Sequence, residues 1–141
     1  MARAFLLIGA FIFVALGTYH GVLTLRDLWA PSTFTPTDDS VRKAMQESRL
    51  ALNQSVNLWD AWMGFNLSHS LALILFGGGL IIVGCQYFPA FARSSSLQLM
   101  AIVVAAAYVV LSLRFWFWGP AVGTGIGLFC FLSTFLMLRS A

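Results

Sequence analysis

Apolar residues in this chain fall into four long stretches that are separated by short polar segments. The stretches cover about residues 4–28, 59–86, 95–114 and 117–138. A helix needs roughly 20 apolar residues to cross a hydrocarbon core about 30 Å thick, whereas the strands of a membrane barrel alternate with a period of two. The pattern therefore predicts an all-α protein with one four-span transmembrane domain over residues 1–141, folded as an up-and-down four-helix bundle.

The polar loop at residues 29–57 predicts a short amphipathic helix between the first two spans. Pro31 and Pro36 end the helix of the first span. Beyond them, six residues follow one another at a spacing of three to four positions and would form one face of a helix: Val41, Met45, Ser48, Leu52, Val56 and Trp59. We expect this helix to lie on the membrane surface or on the mouth of the bundle.

The start of the same helix predicts two ion pairs. Asp38 precedes Arg42 by four residues, and Asp39 precedes Lys43 by four. Because an acid that precedes a base at this spacing stabilises a helix by about 0.2–0.5 kcal/mol, we expect both pairs to form.

Composition places the chain in a membrane and excludes several protein classes. Hydrophobic residues make up 60% of the chain and charged residues 9%, whereas about a quarter of the residues of a soluble domain are charged. The net charge of +3 includes no block of Lys or Arg, so we expect membrane lipids and no nucleic acid as partners. Cys85 and Cys130 stand singly, which argues against the paired-cysteine chemistry of membrane thiol oxidoreductases. The expected location is the bacterial inner membrane.

The fourth span contains a row of glycines at every fourth position, Gly119, Gly123 and Gly127. Small residues at this spacing let two helices approach closely. The row predicts close packing, either inside the bundle or across the interface of a homo-oligomer.

Polar side chains inside the first two spans predict a site. His20 and Thr24 share one face of the first span, and Asn66 and His69 share one face of the second. Because neighbouring spans run antiparallel, the end of the first span and the start of the second lie on the same side of the membrane. The end of the third span, which carries Arg114, lies there too. Because such groups are costly in hydrocarbon unless they are paired or face water, we predict a ligand-binding pocket lined by these five residues.

The two histidines leave three interpretations open. In the first, His20, His69 and Asn66 hydrogen-bond across the helices and fix their register. In the second, the pocket binds a lipid, a quinone or an isoprenoid-like molecule, and one histidine acts as an acid or base if the protein is an enzyme. In the third, His20 and His69 are the axial ligands of a b-type haem. A non-haem metal site is not expected, since no suitable third ligand shares these faces.

The His20-Gly21 pair late in the first span and the Asn-x-Ser-His cluster at residues 66–69 resemble a group of short four-span bacterial membrane proteins. The resemblance covers the whole chain and implies a fold and a location, but no activity. Small multidrug exporters have a similar length and helix number, yet their first helix carries a glutamate where this chain offers only His20. The motifs of the membrane sterol isomerase and eicosanoid/glutathione families are absent as well.

Overall fold

The computed structural model describes residues 1–140, and most of these residues are helical. Its helices are α1 (Ala2–Trp29), α2 (Asp39–Glu47), α3 (Leu58–Gln86), α4 (Phe88–Arg93), α5 (Ser95–Phe115) and α6 (Trp118–Arg139). Helices α1, α3, α5 and α6 are long and apolar enough to cross a membrane. The predicted all-α fold with four spanning helices is confirmed, and the protein is an integral membrane protein.

The second span begins at a reciprocal cap. The Asn57 side-chain oxygen accepts the backbone N–H of Asp60 at 2.7 Å, and the Asn57 amide donates to the Asp60 carboxylate at 2.8 Å. The first bond satisfies a backbone N–H that the first turn of a helix would otherwise leave without a partner, and the second holds the two side chains together. Asp60 is therefore used in capping α3 at the rim, away from the face that carries His69.

The amphipathic helix in the first loop is shorter than predicted. Helix α2 ends at Glu47, and the chain then turns so that Arg49 and Asn57 form an isolated antiparallel bridge. The Asn53 side chain accepts both the backbone N–H and the hydroxyl of Ser55, and such local bonds compete with helix formation. The prediction that this amphipathic helix continues through Leu52 and Val56 is therefore wrong.

The two predicted ion pairs at the start of α2 are also wrong. Asp38 lies at the N-cap and accepts the backbone N–H of Ser40 at 2.8 Å. Hydrogen bonds from the Ser40 side chain and backbone hold the pKa of Asp38 below its ordinary value, because they stabilise the ionised form. Among the residues that the structure describes, the pair that forms is Asp39 with Arg42, at 3.1 Å and i,i+3 spacing.

The chain divides into two compact units. Unit 1 contains Met1–Leu16 and the chain from Leu73 onward, and unit 2 contains Gly17–Ala72. Helices α4, α5 and α6 belong to unit 1 and α2 belongs to unit 2, while α1 and α3 contribute residues to both. The single domain over residues 1–141 stays a prediction.

The core of unit 1 includes four aromatic rings in mutual contact, one from each spanning helix. Phe13 of α1 contacts Phe76 of α3, Tyr108 of α5 and Phe131 of α6, with ring centroids 5.0, 5.8 and 5.9 Å apart. Phe13 is fully buried. Large rings contribute much of the contact area in a core, so this cluster ties the four helices together at one level.

Hydrogen bonds in unit 1 show that neighbouring helices run in opposite directions. Near the start of α1, Arg3 donates to the carbonyl of Cys85 at the end of α3. The Thr134 hydroxyl, near the end of α6, donates to the carbonyl of Ala2. These contacts join the beginning of one helix to the end of another, as an up-and-down bundle requires.

Two glycines of the fourth span face α1 of the same chain. A Cβ atom on Gly127 would come within 2.6 Å of the Phe13 ring, and one on Gly123 would come within 3.0 Å of Leu16. These positions serve close packing inside the bundle, which is one of the two alternatives that the sequence left open. Gly119 instead lies against the neighbouring Phe117 side chain. A homo-oligomer through this row stays a prediction.

Candidate functional site

Unit 2 contains four of the five residues that the sequence predicted for the site. It comprises the second half of α1, the loop with α2, and the first half of α3. The two long helices approach closely at Gly21, where a Cβ atom would lie 3.3 Å from the Cβ atom of Ser70. Because glycine lacks this atom, the backbone of α1 can lie close enough to α3 for His20 to reach it.

A chain of hydrogen bonds fixes the orientation of the His20 ring. The Asn66 amide group donates from Nδ2 to the Trp62 carbonyl at 2.8 Å. The Oδ1 atom of Asn66 therefore remains as the acceptor, and His20 donates to it from Nε2 at 3.0 Å. Asn66 is fully buried, so the acceptor of this bond lies in the interior of unit 2. Thr24, also fully buried, donates from its hydroxyl to the His20 carbonyl at 2.9 Å.

The two imidazole rings are in direct contact. The ring centroids of His20 and His69 lie 5.3 Å apart, with the ring planes inclined by 62°. Phe65, one turn before His69 on α3, stacks on the His69 ring at 6.2 Å. Both imidazoles are partly exposed, and Phe65 is 57% exposed. A molecule approaching from outside would therefore meet the histidine pair and the Phe65 ring, whereas Asn66 and Thr24 support them from within.

The loop after α1 folds back onto the buried carboxylate of Asp27. One oxygen accepts the backbone N–H and hydroxyl of Ser32 and the N–H of Thr33, and the other accepts the N–H of Phe34 and the hydroxyl of Thr35. Five hydrogen bonds converge on one side chain that is 0% exposed. Asp27 thereby provides the partners that irregular backbone needs where water is scarce.

Phe34 covers one side of the His20 ring. Its backbone is held at both ends, because its N–H donates to Asp27 at 2.6 Å and its carbonyl accepts the Trp62 indole N–H at 2.9 Å. Its ring centroid lies 4.5 Å from that of His20. The loop that joins α1 to α2 thus covers one side of the site.

Asp27, Phe34 and Trp62 were not among the predicted site residues. Asp27 lies on the same helical face as His20, and Trp62 shares a face with His69, so periodicity contained a signal for these two. Phe34 lies in the irregular segment after α1, where no periodicity places a side chain. Its position depends on contacts that exist only in the folded chain.

Arg114, the fifth predicted residue, belongs to unit 1. It lies in the last turn of α5, and its guanidinium group stands 5.2 Å from the centroid of the Phe115 ring. Its assignment as a ligand-binding residue stays a prediction.

The geometry limits which cofactors the pair could hold. In residues 1–140, no group of three or more His, Cys, Asp or Glu side chains is arranged to hold a metal ion. Two axial imidazoles must face each other across an iron atom and its porphyrin, but these rings meet edge to face and His20 Nε2 is bonded to Asn66. A haem does not fit between the rings in this arrangement.

Neither a protein-family model, nor a curated protein, nor a solved structure matches this chain. The function is therefore inferred from the geometry of the site.

Proposed function

We propose that this protein binds the polar head group of a lipophilic molecule at the partly exposed face formed by His20, His69 and Phe65. The bacterial inner membrane is the proposed location. The observation that carries the proposal is the contact between two imidazoles from different helices, one of them oriented by the buried Asn66 amide. Such an arrangement presents polar groups to a molecule that arrives through the bilayer.

The depth of the pair supports a ligand from the hydrocarbon phase. His20 lies nine residues before Trp29, and His69 lies ten residues after Trp59. At 1.5 Å per residue, both are about 14–15 Å from the aromatic residues that mark the interface. A polar side chain at that depth is a candidate functional residue, because its exposure to hydrocarbon costs free energy.

Stacking favours a flat head group within this broad class. The rings of Phe65 and His69 are inclined by only 24°, and offset stacking of aromatic rings is favourable. A quinone ring could extend this stack while its carbonyl oxygens accept a hydrogen bond from an imidazole. An isoprenoid tail would then remain among the apolar side chains and lipids outside.

Equilibrium dialysis of the detergent-solubilised full chain with decylubiquinone tests this proposal. We expect saturable binding of one molecule per chain, and a loss of about tenfold in affinity for His69→Leu, which corresponds to one hydrogen bond of about 1.4 kcal/mol. Ser68→Ala is the matched control, since Ser68 is the neighbouring polar residue on α3 and donates only to the carbonyl of Phe65. We expect it to bind like the unmodified chain.

A purely structural role gives a different result. If the histidine pair only fixes the register of the helices, His69→Leu lowers the thermal unfolding temperature and decylubiquinone binding is absent or non-saturable in every variant. Such a result would refute the proposed function. A folded His69→Leu variant that retains full affinity would refute the assignment of this residue.

A further inference from the structure

Unit 1 contains a groove that is separate from the histidine site. It has a volume of about 250 Å³, and its lining is apolar, with contributions from α3, α4 and α5. Leu75 and Met100 on its walls are 65% and 50% exposed, so the groove opens to the surroundings of the bundle. Its volume lies slightly below the 300–1,000 Å³ of pockets that enclose a whole drug-sized molecule. An acyl chain, which is narrow and flexible, suits such an open groove.

Glycine forms part of the wall of this groove. Gly79 lines it, and a Cβ atom on Gly79 would meet open space. Its neighbour Gly78 also points into open space but does not line the groove. A side chain at residue 79 would therefore project from the wall of the groove with no contact at its Cβ atom, whereas a side chain at residue 78 would lie outside the groove.

The junction between α4 and α5 places a positive charge at one end of the groove. Phe91 and Leu97 both line the groove, and the exposed Arg93 lies between them in the chain. The junction is well anchored, because the buried Gln98 amide donates to the carbonyls of Phe91 and Ala92 at 2.8 and 3.0 Å. The backbone that carries Arg93 is therefore held near the groove by a defined local structure.

The charge of unit 1 has one sign only. Its four ionised side chains are Arg3, Arg93, Arg114 and Arg139, and all five acidic residues of the chain lie in unit 2. Arg3 and Arg139 lie at the same end of the helices as Arg93. Arg3 donates a hydrogen bond to the Cys85 carbonyl at the end of α3, and Arg139 donates one to the Ser95 hydroxyl at the start of α5. With no acidic side chain in unit 1, the arginines at this end attract anions, and the anions of a bilayer are lipid head groups.

We propose that unit 1 binds an anionic phospholipid, with an acyl chain in the groove and the phosphate beside Arg93. The apolar groove and the arginine recognise different parts of the same molecule, and both belong to unit 1. This site is independent of the proposed binding of a head group at the histidine pair. It requires a lipid with a net negative charge, for which phosphatidylglycerol is a suitable probe.

Native mass spectrometry of the detergent-solubilised full chain measures this binding directly. Phosphatidylglycerol and phosphatidylcholine with identical acyl chains are titrated separately. We expect one tightly retained phosphatidylglycerol per chain, with an affinity about fivefold above that of phosphatidylcholine, the contribution of one arginine near a membrane surface. Arg93→Gln is expected to remove this preference. Arg49→Gln, which removes an exposed positive charge from unit 2, is expected to preserve it.

The groove is tested with a pair of glycine variants. Gly79→Leu is expected to weaken retention of both lipids, since it occupies the space of the acyl chain, and Gly78→Leu is expected to leave retention unchanged. Thermal unfolding of each variant establishes that it is folded. If Gly79→Leu does not fold, the comparison of Arg93→Gln with Arg49→Gln decides the proposal by itself.

Inorganic phosphate distinguishes a lipid from a free anion. We expect millimolar phosphate to leave phosphatidylglycerol bound, because the acyl chain supplies part of the affinity. Displacement by phosphate, equal affinities for the two lipids, or an unchanged preference in folded Arg93→Gln would overturn the proposal. None of these outcomes bears on decylubiquinone binding at the histidine pair, so the two proposals fail separately.

Discussion

His20 donates a hydrogen bond from Nε2 to the buried Oδ1 atom of Asn66, and this bond joins α1 to α3 inside unit 2. The same Asn66 side chain donates to the carbonyl of Trp62 on its own helix. One amide therefore satisfies a helix carbonyl and orients an imidazole at the same time. This double use explains why an asparagine stands where a leucine would otherwise pack well.

Replacing Asn66 by leucine tests this relationship. The variant leaves the His20 N–H without its acceptor, and we expect the free energy of unfolding to fall by about 1 kcal/mol, since hydrogen bonds between membrane helices typically contribute about 0.6–2 kcal/mol. Reversible unfolding in mixed micelles measures the loss, and the ¹⁵N chemical shifts of the imidazole report the change at His20. Gln54→Leu, an amide replacement in the exposed loop, should leave both readouts unchanged. An unaltered His20 spectrum in Asn66→Leu would contradict the assignment.

Replacing Asp27 by asparagine is expected to release the loop. The backbone N–H groups of Thr33 and Phe34 donate to different oxygens of Asp27, and an asparagine would present an NH₂ group to one of them. Leaving buried donors unsatisfied costs about 1–3 kcal/mol each, so the loop should open well before the helices unfold. Hydrogen–deuterium exchange at residues 32–35 measures this opening.

The control for this change is Asp39→Asn, which removes an exposed carboxylate that pairs with Arg42 on the surface. Exposed ion pairs contribute little to stability, so exchange at residues 32–35 should remain slow in this variant. Equal protection of the loop in Asp27→Asn and the unmodified chain would show that the carboxylate does not hold it.

Substitution by alanine is expected to have opposite effects on stability at two adjacent glycines of α3. A Cβ atom on Gly77 would collide with the backbone oxygen of Ala10 and come within 2.8 Å of Val14, whereas one on Gly78 meets nothing within 4 Å. Gly77→Ala should therefore destabilise the bundle by about 1–3 kcal/mol through overpacking. Gly78→Ala should stabilise it by about 0.5–1 kcal/mol, since alanine favours a helix over glycine. Unfolding measurements on both variants give the comparison, and equal effects would refute the close contact.

Periodicity predicted the faces of the helices but not the loop that covers one of them. The narrow face of α1 that carries Gly9, Phe13, Thr24 and Asp27 is buried, because polar and small residues of a span pack inward where lipid surrounds the outside. His20 and His69 were predicted to line one pocket because antiparallel connection brings their two half-helices together, and their rings are in contact. The loop that covers His20 has no repeat. Its path is set by hydrogen bonds to the nearby Asp27 and by the bond from the Trp62 indole to the Phe34 carbonyl, which lies 28 residues away in the chain.

By itself, the sequence determined the number of membrane crossings, the helical form of each and the faces that turn inward, because hydrocarbon length and helical periodicity act locally along the chain. Tertiary structure alone decided that Phe34 covers His20 and that Gly77 closes against α1 while Gly79 borders a groove. The physical reason is that hydrogen-bond partners and close contacts are chosen among groups that meet only after the helices have packed. Residues with the same local pattern, such as three consecutive glycines, therefore acquire different roles in the folded protein.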